Sequence, residues 1–372
     1  MYDPTAQAAP PGQVTQLATD RPLTLDCGVT LSDIPVAWQA HGRLNAARSN
    51  AILVAHALTG DQVIAGRHPL TGEPGWWDRM VGPGRVLDTE RYFVICSNIL
   101  GGCMGTLGPA HMRPAGDRRW GADFPPVTIA DMVRLQVMLM DHLGIERLFC
   151  AIGGSMGGMQ VLEWLRLCPG RIASAIPIAT TARHSAQQIA INALARAAIT
   201  GDPAFQYGGY YDTGMTPSDG LARARMLAHL SYRTPEEMEA RFGRQPGKAA
   251  PFAVEDYLRH HGDKLARRFD ANSYLAIIDA MDHFDLGPDA ALPDIFAASD
   301  ARVCLLSYAL DWLYPPAQTA HLATMMAAGG LDVAHHVVET LQGHDSFLLP
   351  VDEADGLIRR FLDETAATLG IG

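Results

Sequence analysis

The sequence is poor in basic residues, in paired cysteines and in long apolar runs. It has 29 lysines and arginines against 40 aspartates and glutamates, a formal net charge of −11, and no basic stripe offsets this charge, so we expect no nucleic acid partner. The six cysteines show no C-x-x-C spacing and lie mostly inside apolar runs, which is typical of reduced thiols in a cytoplasmic protein. We expect no metal site.

Two further absences concern membranes and export. No apolar stretch reaches membrane-spanning length, so we expect no membrane partner. The residues that follow Met1 lack the charged and apolar regions of a signal peptide. Both observations favour a cytoplasmic location.

What the chain does have is a series of short, almost continuously apolar runs. Such runs are typical of strands buried on both faces of a parallel sheet. Helical patterns separate several of them, at 129–143, where Thr128 is the predicted N-cap and Gly144 the stop, and at 353–369. This alternation predicts a doubly wound α/β sheet. The predicted strands are 51–58, 92–100, 147–152, 174–179, 301–308 and 335–341, and an antiparallel hairpin at 22–44 is expected at a sheet edge.

Two segments differ from this pattern. Residues 1–20 are rich in Ala, Pro, Gln and Thr, which predicts a loose N-terminal arm. Residues 182–293 contain amphipathic helical patterns and loops rich in Gly, Pro and Tyr, and no convincing buried strand. We interpret them as a helical cap inserted into an α/β core made of residues 21–181 and 294–372. The helices predicted in the cap are 185–199, 220–230, 234–242 and 272–281.

The pentapeptide at 153–157, Gly-Gly-Ser-Met-Gly, lies between an apolar run and a helical pattern. In that context G-x-S-x-G is a nucleophile elbow, where glycines permit the sharp turn that exposes Ser155. In a chain with 36 glycines the motif alone is weak, because a turn that only needs small residues for packing has the same form. In this architecture the orienting acid and the base come after the serine in the sequence, in the order Ser, Asp, His, and each lies at the end of a later strand. Asp311 and His344 meet that requirement, which favours a catalytic triad over a packing turn.

An acyl-transferring serine also needs donors for the oxyanion. The N–H of Met156, directly after the serine, is the first expected donor. The second is expected from the loop after an early strand, where we choose the N–H of Leu58. His56, in the same loop, is interpreted as a structural residue.

Longer stretches of the chain closely resemble the homoserine O-acyltransferase family of α/β-hydrolase folds. The resemblance covers nearly the whole chain from about residue 22, and its motifs are much longer than a bare G-x-S-x-G. Leu107 and Leu310 depart from the family pattern, at positions expected near the site. The stretches are 75–78, 95–105, 153–160, 268–274, 311–315 and 343–345. The resemblance implies an α/β-hydrolase fold, with a mostly parallel sheet and a helical cap.

The family further implies acetyl transfer from acetyl-CoA, as a co-substrate and with no bound cofactor, to the hydroxyl of L-homoserine, a step of methionine biosynthesis. The route runs through an acyl-serine intermediate on Ser155 with His344 as base. By the same resemblance Arg225 binds the amino acid carboxylate, the Tyr232 hydroxyl assists, and Asp345 holds the ammonium. Family members also look like homodimers joined through the cap.

The resemblance also addresses which acyl group is transferred. Family members that use succinyl-CoA tend to carry Arg two residues after the catalytic Asp, and this chain has Leu313 there. An apolar side chain cannot compensate a buried carboxylate, which favours an acetyl donor.

Several alternatives remain open on sequence grounds. L-serine differs from homoserine by one methylene, which a pocket distinguishes by only about 1–3 kcal/mol. A succinyl-CoA-using enzyme, a plain ester or thioester hydrolase, and a non-catalytic binding module are the others. The cap favours a shielded site over a hydrolase, and the intact Ser155, Asp311 and His344 disfavour the binding module.

Overall fold

The computed structural model describes residues 11–371, and an eight-stranded sheet lies at their centre. The spatial order is β1-β4-β8-β5-β9-β10-β11-β12, in which β1 and β4 run antiparallel to their neighbours and the other strands are mutually parallel. The strands are β1 (Gln13–Leu17), β4 (Ile34–His41), β5 (Ala51–Ala55), β8 (Phe93–Ser97), β9 (Cys150–Gly154), β10 (Ser174–Ile178), β11 (Arg302–Tyr308) and β12 (Asp332–Val338). Two small two-stranded sheets consist of β2 (Leu23–Thr24) with β3 (Thr30–Leu31) and of β6 (Val81–Gly82) with β7 (Leu87–Asp88).

Both faces of the central sheet are buried, as the apolar runs predict. Successive side chains of a strand point to opposite faces. In β5, Leu53 packs into the hydrophobic core on one face and Ile52 into the core on the other, and neither is exposed to solvent. The predicted α/β class with a mostly parallel sheet is therefore confirmed.

Helices cover the two faces of the sheet. They are α1 (Ile129–His142), α2 (Met156–Leu167), α8 (Leu292–Phe296), α9 (Pro316–Ala328) and α10 (Asp352–Leu369). α1 begins at the predicted N-cap, because the Thr128 hydroxyl accepts from the Asp131 N–H while the Asp131 carboxylate accepts from the Thr128 N–H. Such a capping box satisfies two backbone donors that the helix itself leaves unpaired.

The segment between β10 and α8 contributes five helices. They are α3 (Ala186–Thr200), α4 (Ser218–Tyr232), α5 (Pro235–Phe242), α6 (Ala253–Ala266) and α7 (Ala271–Asp282). α4 packs against both α3 and α6. Among these five, α6 has no counterpart in the sequence prediction. Below, "the cap" means residues 182–293.

Three expectations about the chain need correction. Residues 13–17 are not a loose arm, since β1 pairs with β4 from Gln13 to Leu17, while residues 1–10 lie outside the described part of the chain. The hairpin expected at 22–44 is only the short β2–β3 pair, which lies outside the central sheet. The strand at the corresponding edge of the central sheet is β1. β12 begins at Asp332, three residues before the predicted start.

Among the described residues, no helix combines the length and apolarity needed to cross a membrane.

Candidate active site

Ser155 lies on a strained turn between β9 and α2. Its backbone has φ 58° and ψ −124°, a region that residues with a side chain rarely adopt and that costs free energy. Two hydrogen bonds hold the turn: the Ser155 N–H donates to the Ile178 carbonyl at 2.9 Å, and the Thr180 hydroxyl donates to the Ser155 carbonyl at 3.0 Å. The serine is thus presented at the carboxyl ends of the central strands.

The neighbouring glycines are required by close packing. A Cβ on Gly157 would lie 2.1 Å from the Ala55 carbonyl oxygen, and one on Gly153 would lie 2.6 Å from the backbone of Gly157. A Cβ on Gly154 would lie 2.5 Å from the ring of Phe347. Packing alone therefore accounts for the glycines, so a catalytic role for Ser155 has to rest on the groups around it.

His344 and Asp311 form a buried hydrogen-bonded pair. His344 Nδ1 lies 2.8 Å from Asp311 Oδ2, and the other carboxylate oxygen accepts from the backbone N–H groups of Leu313 and Tyr314 at 3.0 and 2.8 Å. A carboxylate on Nδ1 fixes the imidazole tautomer and leaves Nε2 as the basic nitrogen. His344 Nε2 is buried and has no hydrogen-bond partner among the described residues.

Tyr314 links the serine to this pair. Its ring stacks on the His344 ring at a centroid distance of 5.0 Å. Burial raises the Tyr314 pKa, and the nearby Ser155 side chain lowers it in part. Ser155 and Tyr314 line a small cavity of about 30 Å³, together with Leu58, Tyr232 and residues of α3, α4 and α7. Tyr314 therefore connects the ring of the base to the cavity that the serine lines.

The two expected oxyanion donors have unpaired backbone N–H groups. Neither Leu58 nor Met156 donates its N–H to a backbone acceptor within residues 11–371, and Leu58 lines the cavity beside Ser155. The loop that carries Leu58 is held by Gln160, whose side-chain amide donates to the His56 carbonyl at 3.1 Å. The ring of His56 is itself buried against the loop, with Nδ1 2.8 Å from the Ala57 carbonyl, and burial lowers its pKa.

Arg225 and Tyr232, both on α4, lie side by side. The Arg225 guanidinium is 5.5 Å from the centre of the Tyr232 ring, and Nη1 donates to the Thr59 hydroxyl at 3.3 Å. Arg268 approaches the same loop and donates from Nη2 to the Thr59 carbonyl at 2.6 Å. In the described part of the chain no carboxylate lies within ion-pair distance of Arg225, so its charge is available to an anion.

Asp345 already has a cationic neighbour that the sequence analysis missed. Arg233 Nη2 lies 3.3 Å from Asp345 Oδ2, and Arg233 Nη1 lies 3.1 Å from Glu237 Oε1. Burial raises the pKa of Asp345, and the charges of Arg233 and Arg225 lower it in part. Arg233 lies between Tyr232, the last residue of α4, and Thr234, the N-cap residue of α5. Its partner Asp345 is 112 residues away, and no local sequence pattern indicates such a contact.

Leu313 and Leu107 differ in their relation to the site. Leu313 lines the cavity at Ser155, as expected for a residue that contacts the acyl group. Leu107 does not line this cavity, but packs in the core next to a surface groove with Trp120, and its expected place near the site stays a prediction. Leu310 is 38% exposed beside Asp311.

Within residues 11–371, no cluster of three His, Cys, Asp or Glu residues is arranged to hold a metal ion.

Comparison with known proteins identifies relatives over the whole chain. Residues 50–274 match the family model described as alpha/beta hydrolase fold. A homoserine O-acetyltransferase of Rhodospirillum rubrum is 49% identical over 98% of this chain and 96% of its own length. One from Mesorhizobium japonicum is 48% identical over 97% of this chain and 96% of its own length.

Solved structures of the same fold include both transferases and esterases. A homoserine O-acetyltransferase from Staphylococcus aureus superposes with a TM-score of 0.75 and 26% identity, covering 94% of each chain. Esterase E22 superposes with a TM-score of 0.84 and 28% identity, covering 94% of this chain and 99% of its own. The fold is thus shared by proteins named as transferases and as esterases. The identity to these two structures is similar, and the relatives at 48–49% identity are homoserine O-acetyltransferases.

The packing at the elbow generates a prediction. Gly157→Ala places a methyl group against the Ala55 carbonyl, and overpacking of this kind costs about 1–3 kcal/mol or more. We expect a lower midpoint of urea unfolding together with loss of activity. Gly356→Ala is the matched control, because a Cβ at this position in α10 meets open space and Ala is favoured over Gly in a helix by about 1 kcal/mol. Equal midpoints for the two variants would contradict this account of the elbow.

Proposed function

This chain belongs to the homoserine O-acetyltransferase family of alpha/beta hydrolase fold proteins, and from that premise we propose that it transfers an acetyl group from acetyl-CoA to the hydroxyl of L-homoserine. The observation that carries the proposal is the unpaired, buried Nε2 of His344, which is oriented by Asp311 and whose ring stacks on Tyr314, a residue that lines the cavity with the elbow serine. Acetyl-CoA acts as a co-substrate, and the proposed chemistry requires no resident cofactor.

In the first half-reaction Ser155 is the nucleophile. His344 Nε2 takes the Ser155 proton while Oγ attacks the thioester carbonyl, and collapse of the tetrahedral intermediate breaks the C–S bond. The leaving thiolate of CoA takes the proton from His344, and the acetyl group remains on Ser155. The N–H groups of Leu58 and Met156 bind the oxyanion, where preorganised donors stabilise developing charge most effectively.

In the second half-reaction the amino acid replaces CoA. His344 takes the proton from the homoserine hydroxyl, whose oxygen attacks the acetyl carbon, and the bond from that carbon to Ser155 Oγ breaks. The proton returns to Ser155. Retention of the acyl group between the halves requires that water be kept from it, which the enclosing helices of the cap favour.

Charged residues of the cap suit an amino acid acceptor. The unpaired Arg225, with the Tyr232 hydroxyl beside it, would bind the carboxylate. Asp345 would hold the ammonium. Arg233 pairs with both Asp345 and Glu237, and Arg241 also pairs with Glu237, so an ammonium would share Asp345 with Arg233.

The wall of the cavity near the acyl group is apolar, which supports an acetyl donor. Leu313 lies there with Ile191, Ala195 and Met281, and an additional carboxylate would have to be buried against them without a partner. The esterase structures leave water as an alternative acceptor, but relatives that are 48–49% identical to this chain carry the name of the transferase.

The first prediction compares acceptors directly. With acetyl-CoA as donor, we expect CoA release to be fastest with L-homoserine, slower with L-serine by about tenfold for the missing methylene, and slowest with water alone. Absorbance of the released thiol measures the three rates. Ser155→Ala controls for release that does not pass through the enzyme. Equal rates with and without an amino acid would instead identify a thioesterase.

The acceptor site generates a second prediction. Arg225→Ala removes a charge-assisted contact to a desolvated carboxylate, which costs about 1.5–3 kcal/mol, so kcat/KM for homoserine should fall at least about tenfold. Acylation by acetyl-CoA should stay close to that of the wild type, as stopped-flow measurement of each half-reaction would reveal. Arg223→Ala is the matched control, since Arg223 is exposed on the same helix. Normal deacylation by homoserine in Arg225→Ala would remove Arg225 from the site.

A third prediction concerns the donor. Leu313→Arg places a cation at the apolar wall of the cavity, where it can pair with the free carboxylate of a succinyl group. We expect the ratio of kcat/KM for succinyl-CoA to that for acetyl-CoA to rise, and Leu313→Met serves as the uncharged control. An unchanged ratio in a folded Leu313→Arg protein would place donor specificity elsewhere.

We also propose a cytoplasmic homodimer joined through the cap. In the single chain, large apolar side chains of the cap are exposed, including Leu194 at 62%, Tyr207 at 96% and Leu230 at 48%, and apolar surface of this kind marks interaction sites. Light scattering at micromolar concentration should give twice the mass of one chain. A monomer mass would contradict the dimer.

A further inference from the structure

A second buried Asp–His pair lies next to the same cavity. His184 Nδ1 is 3.3 Å from Asp282 Oδ1, and the two side chains are only 2% and 9% exposed. His184 lies just before α3, and Asp282 is the last residue of α7, so both belong to the cap. The two half-reactions proposed above make no use of this pair.

Tyr314 connects the pair to the nucleophile. His184 Nε2 is 2.8 Å from the Tyr314 hydroxyl, and His184, Tyr314 and Ser155 line the same small cavity. The chain of contacts thus runs from Asp282 through His184 and Tyr314 to Ser155. The same tyrosine stacks on His344, so a change in its hydrogen bonding acts directly on the reacting groups.

The direction of each hydrogen bond in this series of contacts follows from Asp282, the residue farthest from Ser155. Burial raises the pKa of Asp282, but hydrogen bonds from His184, Asn192 and Arg196 together lower it below its ordinary value. The Asn192 and Arg196 donors lie 2.7 and 2.9 Å from the carboxylate. A carboxylate only accepts, so His184 carries its proton on Nδ1, and Nε2 accepts from the Tyr314 O–H. Tyr314 therefore presents a lone pair to Ser155.

We propose that Tyr314, His184 and Asp282 form a positioning chain that keeps the Tyr314 proton away from Ser155 Oγ. The Tyr314 oxygen can accept a hydrogen bond from the Ser155 hydroxyl, but its own proton is donated to His184 and not to Oγ. A hydroxyl that donated to Oγ would occupy the lone pair that must attack the thioester. The inference rests on the proposed function, because it concerns the rate at which Ser155 is acylated.

The test reverses the direction of the hydrogen bonds in the positioning chain by a substitution at Asp282. In Asp282→Asn, Arg196 still donates to the remaining oxygen, so the amide nitrogen takes the place of Oδ1. There one of its hydrogens is donated to His184 Nδ1 and the other to Asn192, whose amide turns to present its oxygen. The histidine proton then moves to Nε2, and the Tyr314 hydroxyl turns toward Ser155. In a single turnover with acetyl-CoA, loss of one free lone pair should slow acylation about tenfold. In a Tyr314→Phe background the same substitution should change the rate by less than about twofold, because the connecting hydroxyl is gone.

Two controls separate this role from simple support of the cap. Arg196→Gln weakens the contact to the same carboxylate without touching His184, and acylation should stay within about twofold of the wild type. The ¹⁵N shifts of His184 should report a protonated Nδ1 in the wild type and a protonated Nε2 in Asp282→Asn.

Two results would overturn the proposal. One is an equal loss of acylation from Asp282→Asn with and without the Tyr314 hydroxyl. The other is a wild-type His184 protonated on Nε2. Failure of wild-type Ser155 to be acylated at all would instead refute the proposed function, and the His184 tautomer would still test the chain.

Discussion

The contact between Phe347 and Gly154 is the constraint on which the rest of the site depends. The Phe347 ring fills the space where a side chain at 154 would lie, and its edge packs on His344 at 5.7 Å. The Phe347 carbonyl accepts from the Trp77 indole at 2.8 Å, which holds the loop from its other side. Because interiors are close-packed, this contact sets the distance between the strand that carries the serine and the turn that carries the base. The elbow glycines are thus required for the assembly of the site as well as for the turn.

The sheet supplies the reacting groups, and the cap supplies the charges and hydrogen bonds around them. Ser155, Asp311 and His344 follow β9, β11 and β12, whereas Arg225, Arg233 and Arg268 all come from the cap. Among residues 11–371, Arg233 pairs with Asp345 and Glu237 and Arg268 pairs with Asp61, whereas Arg225 has no carboxylate within ion-pair distance. In a chain with a net charge of −11, Arg225 is therefore the one of these three arginines whose charge is available to an anion. This division agrees with the general observation that function lies in sites built on a common fold.

The parts predictable from sequence are those with a local signal. Buried parallel strands such as β5 and β9 appear as continuous apolar runs, and the box at Thr128 gives the start of α1. The predicted start of β12 is three residues too late, because β12 is an edge strand with one partner. Polar side chains such as Asp332 remain exposed there, so the apolar run is shorter than the strand. β1 was missed because its sequence, QVTQL, is largely polar and only Leu17 is buried. The pairs His184–Asp282 and Arg233–Asp345 join residues about 100 positions apart, and no local pattern reports such contacts.

The central claim is that the acetyl group passes through a covalent bond to Ser155, and one measurement tests it most directly. Rapid quenching after acetyl-CoA is mixed with the wild-type enzyme, followed by peptide mapping, should find stoichiometric acetylation on the peptide that contains Ser155. Addition of L-homoserine before the quench should discharge it as O-acetylhomoserine at the rate of turnover. An enzyme that forms O-acetylhomoserine while Ser155 remains unmodified throughout, or whose acetyl group is found on another residue, would contradict the account.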